Sequence, residues 1–307
     1  MSVVVGVDLG GTKTAVGLID SSGNVIVRRE VLTPAQYGAR AVVNTTAELV
    51  LTLIAGRNDV KSVGVGSAGV IDTENGTVVS ATEALPGWAG TDLKRELERL
   101  LSRPVAVMND VHAHAVGESW IGAGRGARNM VLVAAGTGIG GAYAIDGVVQ
   151  TGAHGMAGHF GHMSSALAAT MVCACGRVGH VEAIASGSAI LAAFHRSGGD
   201  STVANTREVF RRAESGDSIA REVIGIAARS LGQMIGGLQN ALDPDVTVVA
   251  GGLSRSGSFW WGMLRTGIKE QALSVTSNGL VVDALLGENA AIVGAAKVAF
   301  DRLEANS

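Results

Sequence analysis

The stretch Val3-Val4-Val5-Gly6-Val7-Asp8-Leu9-Gly10-Gly11-Thr12-Lys13-Thr14-Ala15-Val16-Gly17-Leu18-Ile19-Asp20 decides how this chain is read. Val3 to Val7 is a β-branched run that ends in an acid and a glycine pair. A second apolar run, Thr14 to Ile19, follows at once, and Asp20-Ser21-Ser22-Gly23-Asn24 turns the chain into Val25 to Val31. Such spacing predicts three antiparallel strands joined by hairpins. Because the first bend is rich in glycine, its backbone N–H groups can approach an anion closely. Asp8, at the end of the strand, is placed to hold a hydrated Mg²⁺. An ordinary hairpin turn is the competing reading, and the spacing of a Walker A motif is absent.

Beyond this unit the pattern alternates between helix and strand. Ala39 to Ile54 is expected to be a helix and Lys61 to Gly66 a buried strand, followed by the small-residue turn Ser67-Ala68-Gly69. In α/β sheets, ligands sit outside the carboxyl ends of strands, which marks Ser67, Ala68 and Gly69 as candidates. Leu93, Leu97, Leu100 and Leu101 form a helical stripe with Asp92 as its cap. Val105 to Met108 is the next strand, with Asn109 and Asp110 at its tip. There Asp110 could take a hydroxyl proton from a bound substrate while Asn109 orients it. Position alone leaves equally open that Asp110 merely caps the helix from Val111 to Ser119. His112 and His114 on that helix read as surface or packing residues.

Met130 to Ala135 is a strong strand running into Gly136-Thr137-Gly138-Ile139-Gly140-Gly141, then a strand over Ala142 to Ile145. Two glycine-rich bends in one chain, each between paired strands, point to two jaws on one polyphosphate. Further on, Glu182 to Phe194 and Ser218 to Leu242 are expected helices. Val246 to Ala250 is a strand closed by Gly251-Gly252, a turn suited to the sugar or base of a nucleotide. Helices over Phe259 to Ile268 and Ala290 to Leu303 finish the chain, the last expected to pack back on the first domain.

His154 to Glu182 concentrates four of the seven histidines and both cysteines. Thiolate and imidazole are the ligands Zn²⁺ prefers, and four of them close a tetrahedral site. His162, Cys173, Cys175 and His180 are therefore candidate ligands of a structural zinc, with His159 turned toward a small-molecule site. The competing reading is a pair of reduced cysteines beside incidental histidines, since C-x-C alone is a weak signal.

Composition narrows the functional classes. A chain of 307 residues accommodates two domains, each with its own core. Residues 1–115 with 290–307 are expected to form the smaller one and 116–289 the larger, which carries the zinc loop. A net charge of −3, with no Lys/Arg-dense block, offers no footprint for nucleic acid. No apolar run is long enough to span a membrane, and the N-terminus lacks the features of a signal peptide. Two cysteines in one C-x-C cannot staple a secreted fold, so a reducing cytoplasm is the expected location.

Taken together, V-D-L-G-G-T-K after a strand, N-D at a strand tip, A-G-T-G-I-G-G, G-H-F-G-H and C-x-C-G-x-x-G-x-x-E resemble the ROK sugar kinases over nearly the whole chain. The resemblance implies an α/β actin-like ATPase fold (ribonuclease H-like, duplicated), with two domains around a nucleotide and sugar cleft. It implies that Asp8, Gly10, Gly11, Thr12 and Lys13, with Gly136, Thr137, Gly138, Gly140 and Gly141, embrace the phosphates of ATP with Mg²⁺, and that Gly251 and Gly252 lie near the adenosine. Asn109, Asp110, His159, His162 and Glu182 would bind the sugar, with Asp110 the general base toward its 6-hydroxyl. Repressors of the same family carry an N-terminal helix-turn-helix. With the first strand already under way by Gly6, none is expected here. The expected assembly is a homodimer.

Two departures from the family pattern matter. Most glucose-type members have Glu where this chain has His159, and A-G-H-F-G-H looks most like the bacterial N-acetylmannosamine kinases. N-Acetylmannosamine is thus the favoured acceptor, with glucose or N-acetylglucosamine the alternatives. His180 replaces a third cysteine, so a Cys₂His₂ site is expected, in a linker without the usual D-P-x-G. A non-catalytic sugar sensor is the alternative of a different class.

Overall fold

The computed structural model describes residues 2–82 and 85–305. It divides into two compact units: unit 1 holds Met1–Gly126, Val148–Ala157 and Leu285–Ser307, and unit 2 holds Ala127–Gly147 and Gly158–Ala284. In chain order the strands are β1 (Val3–Leu9), β2 (Lys13–Asp20), β3 (Val25–Leu32), β4 (Val60–Ser67), β5 (Val70–Asp72), β6 (Thr77–Ser80), β7 (Val105–Asn109), β8 (Met130–Ala135), β9 (Ile139–Ile145), β10 (Val148–Val149), β11 (Val246–Ala250) and β12 (Val281–Asp283). The helices are α1 (Ala39–Leu53), α2 (Leu93–Leu101), α3 (Asp110–Ile121), α4 (Glu182–Ala185), α5 (Gly187–Arg196), α6 (Thr206–Glu214), α7 (Ser218–Leu242), α8 (Gly257–Gln271) and α9 (Ala290–Ala305).

Unit 1 is built on a sheet of order β3-β2-β1-β4-β7. The antiparallel β1–β2–β3 meander forms as the hairpin spacing predicts, while β4 and β7 run parallel to β1. Strands β1, β4 and β7 are buried along nearly their whole length, as expected of parallel strands covered on both faces. One face packs Val5, Val7, Val63 and Val105 against the leucine stripe of α2 and the valines of α1. The other packs Val4, Ala15 and Ile19 against Ile292, Val293 and Ala296 of α9, so the last helix does return to the first sheet.

That return is close. A Cβ placed on Gly64 of β4 would lie 1.8 Å from the carbonyl oxygen of Ala295 on α9. Contact at this spacing lets the helix backbone lie directly on the sheet, which any side chain would prevent. Glu118 of α3 reinforces the arrangement. Its wholly buried carboxylate accepts N–H groups from Ala123 at 2.7 Å, Leu286 at 2.8 Å and Leu285 at 3.2 Å. A buried carboxylate is tolerated only when hydrogen-bonded in this way.

Unit 2 repeats the plan of unit 1. Its strands run β9-β8-β11-β12, with β9 antiparallel to β8 and with β11 and β12 parallel to it. Helices α7 and α8 cover it, their backbones brought together where Gly232 meets the carbonyl of Leu264. Duplication of one hairpin-plus-parallel-strand sheet is the actin-like, ribonuclease H-like ATPase fold. Among the described residues no helix is long and apolar enough to cross a membrane.

Two local expectations change. The glycine loop after β8 is shorter than its sequence implies, because β9 begins at Ile139 and takes Gly140 and Gly141 into the sheet opposite Ala134 and Val133. The helix expected over Glu182 to Phe194 breaks at Ser186, whose extended backbone (ψ 158°) and side chain cap α5 by accepting the N–H of Ala189. Of the two readings open for His112, packing holds: it is buried inside unit 1, where its Nε2 lies 2.7 Å from the carbonyl of Ala157.

Gly64→Ala should destabilise the protein by about 2 kcal/mol or more, the upper range for an overpacked core, because the atom it meets is backbone. Urea unfolding reads this as a lower midpoint at unchanged slope. A change within about 0.5 kcal/mol, typical of a surface position, would mean that α9 does not lie on β4 as described.

Candidate functional site

In unit 1 the carboxyl ends of β1, β4 and β7 come side by side. Cross-strand register places Leu9 beside Ser67 and Ser67 beside Asn109. The predicted candidates Asp8, Ser67, Asn109 and Asp110 thus share one sheet edge, with Gly10 to Thr12 forming the bend from β1 into β2. This is the edge at which open α/β sheets bind ligands.

Asn109, not Asp110, caps α3. Its Oδ1 accepts the N–H of Val111 at 2.9 Å and of His112 at 3.1 Å. Its Nδ2 donates to the carbonyl of Gly69 and to Oδ1 of Asp110, both at 2.9 Å. The amide is fully engaged, and one of its bonds orients Asp110. Relieved of the capping role, Asp110 is the first helical residue, its Oδ1 also accepting the N–H of Val111.

The electrostatics single out the same pair. Burial, and next the negative charge of Asp8, push the Asp110 carboxyl up to about 7. Burial also raises Asp8, to about 6, against the opposing influence of Arg28 and Lys13. Two acids with such values near neutrality suit proton transfer and cation binding. Lys13 itself pairs with Glu30 at 2.8 Å.

Two supporting residues escaped the sequence reading. Thr33 donates its hydroxyl to the carbonyl of Gly10 at 2.7 Å and its N–H to that of Thr12 at 2.9 Å, holding the first glycine bend from below. Trp88 donates its indole N–H to Ser67 Oγ at 3.3 Å and to the Ala68 carbonyl at 3.2 Å. Both lie far along the chain from what they hold, so no local motif announces them.

In unit 2, β8 and β11 end together. Gly251, with φ of 90°, lies so close to Ala135 that a Cβ would meet its carbonyl oxygen at 2.3 Å. Gly136, Thr137 and Gly138 therefore share a strand edge with Gly251 and Gly252. Gly140 and Gly141 sit within β9, and a Cβ on Gly141 would strike the ring of Phe160 at 2.3 Å. That close contact seats the G-H-F-G-H segment on the sheet, with a 3-10 turn at Phe160–His162 and His159 just before it.

The four expected metal ligands converge. The donor atoms of His162, Cys173, Cys175 and His180 all lie within 4.8 Å of one another. Cys173 Sγ is 3.8 Å from His162 Nδ1, and Cys175 Sγ is 3.2 Å from His180 Nδ1. Ligands bound at about 2.0–2.3 Å in a tetrahedron stand roughly 3.3–3.8 Å apart, so the residues fit a Cys₂His₂ metal site. Until an ion displaces its proton, burial pushes the Cys173 thiol up to about 11. His159 is outside the cluster, its ring stacked 6.3 Å from that of His162. Glu182 stands between the cluster and the glycine loop: Oε1 is 3.6 Å from Cys173 Sγ, and Oε2 accepts the N–H of Ile139 at 2.9 Å.

Comparison with known proteins follows the same lines. The ROK family model matches residues 4–302. A glucokinase from Thermotoga maritima is 32% identical over 313 residues, covering 98% of either chain. An N-acetylmannosamine kinase from Escherichia coli is 36% identical over 246 residues, covering 80% of this chain and 81% of that one. The crystal structure of a ROK family glucokinase from Streptomyces griseus, in complex with glucose and AMPPNP, superposes with a TM-score of 0.83 at 30% identity, over 98% of this chain and 100% of that one. With the paired acids, the glycine loops and the Cys₂His₂ cluster in place, the chain belongs to the ROK family and is an ATP-dependent carbohydrate kinase.

Proposed function

We propose that the enzyme transfers the γ-phosphoryl group of ATP to the 6-hydroxyl of a hexose or N-acetylhexosamine, with N-acetylmannosamine the favoured acceptor. The observation that carries the chemistry is Asp110, a carboxylate at a strand tip, free of the capping role and poised near neutral pH. Phosphoryl transfer depends mainly on alignment and on neutralising charge at the phosphate oxygens. Backbone N–H groups of Gly11 and Thr12 and of Thr137 and Gly138 are suited to the second task, while those of Gly10 and Gly136 close the two bends by donating to the carbonyls of Lys13 at 3.0 Å and Gly138 at 2.9 Å. Gly251 and Gly252 are assigned to the adenosine. Asp8 would hold the Mg²⁺ that accompanies ATP, an ion that supplies positive charge at those oxygens. Asp110 takes the proton of the attacking hydroxyl on Oδ2, because Oδ1 is held by the bonds from Asn109 Nδ2 and the Val111 N–H.

Sugar recognition is assigned to Ser67, Ala68, Gly69, Asn109, His159, His162 and Glu182. A sugar hydroxyl reaching Asn109 would exchange with one of its existing bonds, to Gly69 or to Asp110. His159 favours the N-acetylmannosamine reading over glucose, since an imidazole in place of a carboxylate changes which substituent can be hydrogen-bonded there. Glucose and N-acetylglucosamine are the alternatives within the family, and the glucokinase relatives keep glucose in contention. Zinc held by His162, Cys173, Cys175 and His180 would act as a structural cross-link of the segment that carries these side chains.

A coupled ADP assay across hexoses should give its highest kcat/KM with N-acetylmannosamine. His159→Glu should then move the ratio of kcat/KM toward glucose by about tenfold or more. Higher kcat/KM for glucose in the unaltered enzyme would overturn the substrate assignment.

Asp110→Asn should lower kcat by about two to four orders of magnitude, the usual size of a lost general base. The same variant should be thermally more stable. Between about pH 4 and 7 the folded protein keeps a proton on Asp110 that the unfolded chain gives up, so stability falls as pH rises through that window. Removing the acid removes the penalty, and Tm at pH 8 should rise. Near-native turnover, or a lower Tm, would remove Asp110 from its assigned role.

A further inference from the structure

The segment that follows the metal cluster is built into the second glycine loop at three points. Glu182 Oε2 accepts the N–H of Ile139 at 2.9 Å. Gly187 donates its N–H to the carbonyl of Gly136 at 2.8 Å, and Ser188 donates its hydroxyl to that of Thr137 at 2.9 Å. The break in the helix at Ser186 is what turns Gly187 and Ser188 toward the loop. Gly138 is shaped to the same contact, for a Cβ there would meet Glu182 Oε2 at 2.7 Å.

This brace begins two residues after a metal ligand. His180 is followed by Val181, which donates its N–H to the carbonyl of Met163 next to His162, and then by Glu182. The intervening loop is held by a few backbone bonds, from Ser165 to Gly179, Gly179 to Met171 and Cys173 to Arg177. A four-ligand ion joining residues 162, 173, 175 and 180 would fix the point from which Glu182 projects.

We propose that Glu182 and Ser188 are positioning residues that make the metal-binding segment a support for the Gly136–Gly138 loop, so that metal occupancy sets the affinity for nucleotide as well as for sugar. The inference rests on reading that loop as a phosphate-binding element. It adds a second task for Glu182: one carboxylate oxygen braces the loop, and its remaining lone pairs are left for the sugar. Loss of one such hydrogen bond should change affinity by about two- to tenfold.

The test is calorimetric titration with AMPPNP and Mg²⁺ of the full chain, zinc-loaded or stripped by a chelator that is then removed. Zinc content and amide exchange are followed in parallel. Stripping the unaltered protein should weaken AMPPNP binding about tenfold and speed exchange in the peptide containing Ile139, leaving β11 protected. Glu182→Ala with zinc still bound should show the same weakening and little further response to stripping. Glu182→Gln, whose carbonyl can still accept from Ile139, should stay within about threefold of the unaltered protein. Ser188→Ala, which leaves the metal segment intact, should weaken AMPPNP binding about two- to fivefold. Equal AMPPNP affinity with and without zinc, or full affinity in zinc-loaded Glu182→Ala, would overturn the proposal. Full affinity in a Gly138→Val variant would instead show that the loop does not touch the nucleotide, and the phosphate-loop reading would fail with it.

Discussion

Two buried carboxylates, one of which raises the proton affinity of the other, are the constraint on which unit 1 turns. Asp8 ends β1 and Asp110 opens α3, and both are sheltered enough that the charged form is disfavoured. A protein interior ordinarily avoids this arrangement, because two like charges with little solvent around them weaken the fold. The cost is understandable where a divalent cation is to be held by one acid and a proton accepted by the other. Asn109 then becomes the residue that makes the arrangement usable. By taking over the helix cap and donating to Asp110, it presents a carboxylate with no other structural duty than the bonds that orient it.

Much of this could be read directly from residues. The β-branched run to Asp8, the immediate second run and the glycine pair specified the first hairpin, and the leucine stripe specified α2. The metal ligands were legible because four donors of the right chemistry fall within nineteen residues, His162 to His180. What stayed hidden was contact between positions distant in the chain. Thr33 supports Gly10, Trp88 supports Ser67, and Glu182 supports Ile139. Each is one hydrogen bond that no periodicity encodes. The capping of α3 was ambiguous because Asn and Asp are both good caps, and only the backbone at Asn109 (ψ 146°) decides between them.

Other elements were missed although their signals were present. Asn205 with Glu208 three residues later is a helix-start pattern, and α6 begins there. Asn75-Gly76 is a hairpin dipeptide, and it joins β5 to β6. The break at Ser186 is of the same kind, since Ser-Gly-Ser interrupts an otherwise continuous apolar pattern. Local turn chemistry prevailed over periodicity, and that interruption is what places α5 against the glycine loop.

In the proposed mechanism Asp110 must lose its proton to act as a base, while burial and the charge of Asp8 hold that proton in place. The dependence of sugar kcat/KM on pH, measured between pH 5 and 9 and compared with the residual activity of Asp110→Asn, tests it most directly. The unaltered enzyme should gain about tenfold per pH unit below an inflection near 7 and level off above it, and the variant should lack that limb. An unaltered enzyme with a flat profile down to pH 5, or the same limb persisting in Asp110→Asn, would contradict the account.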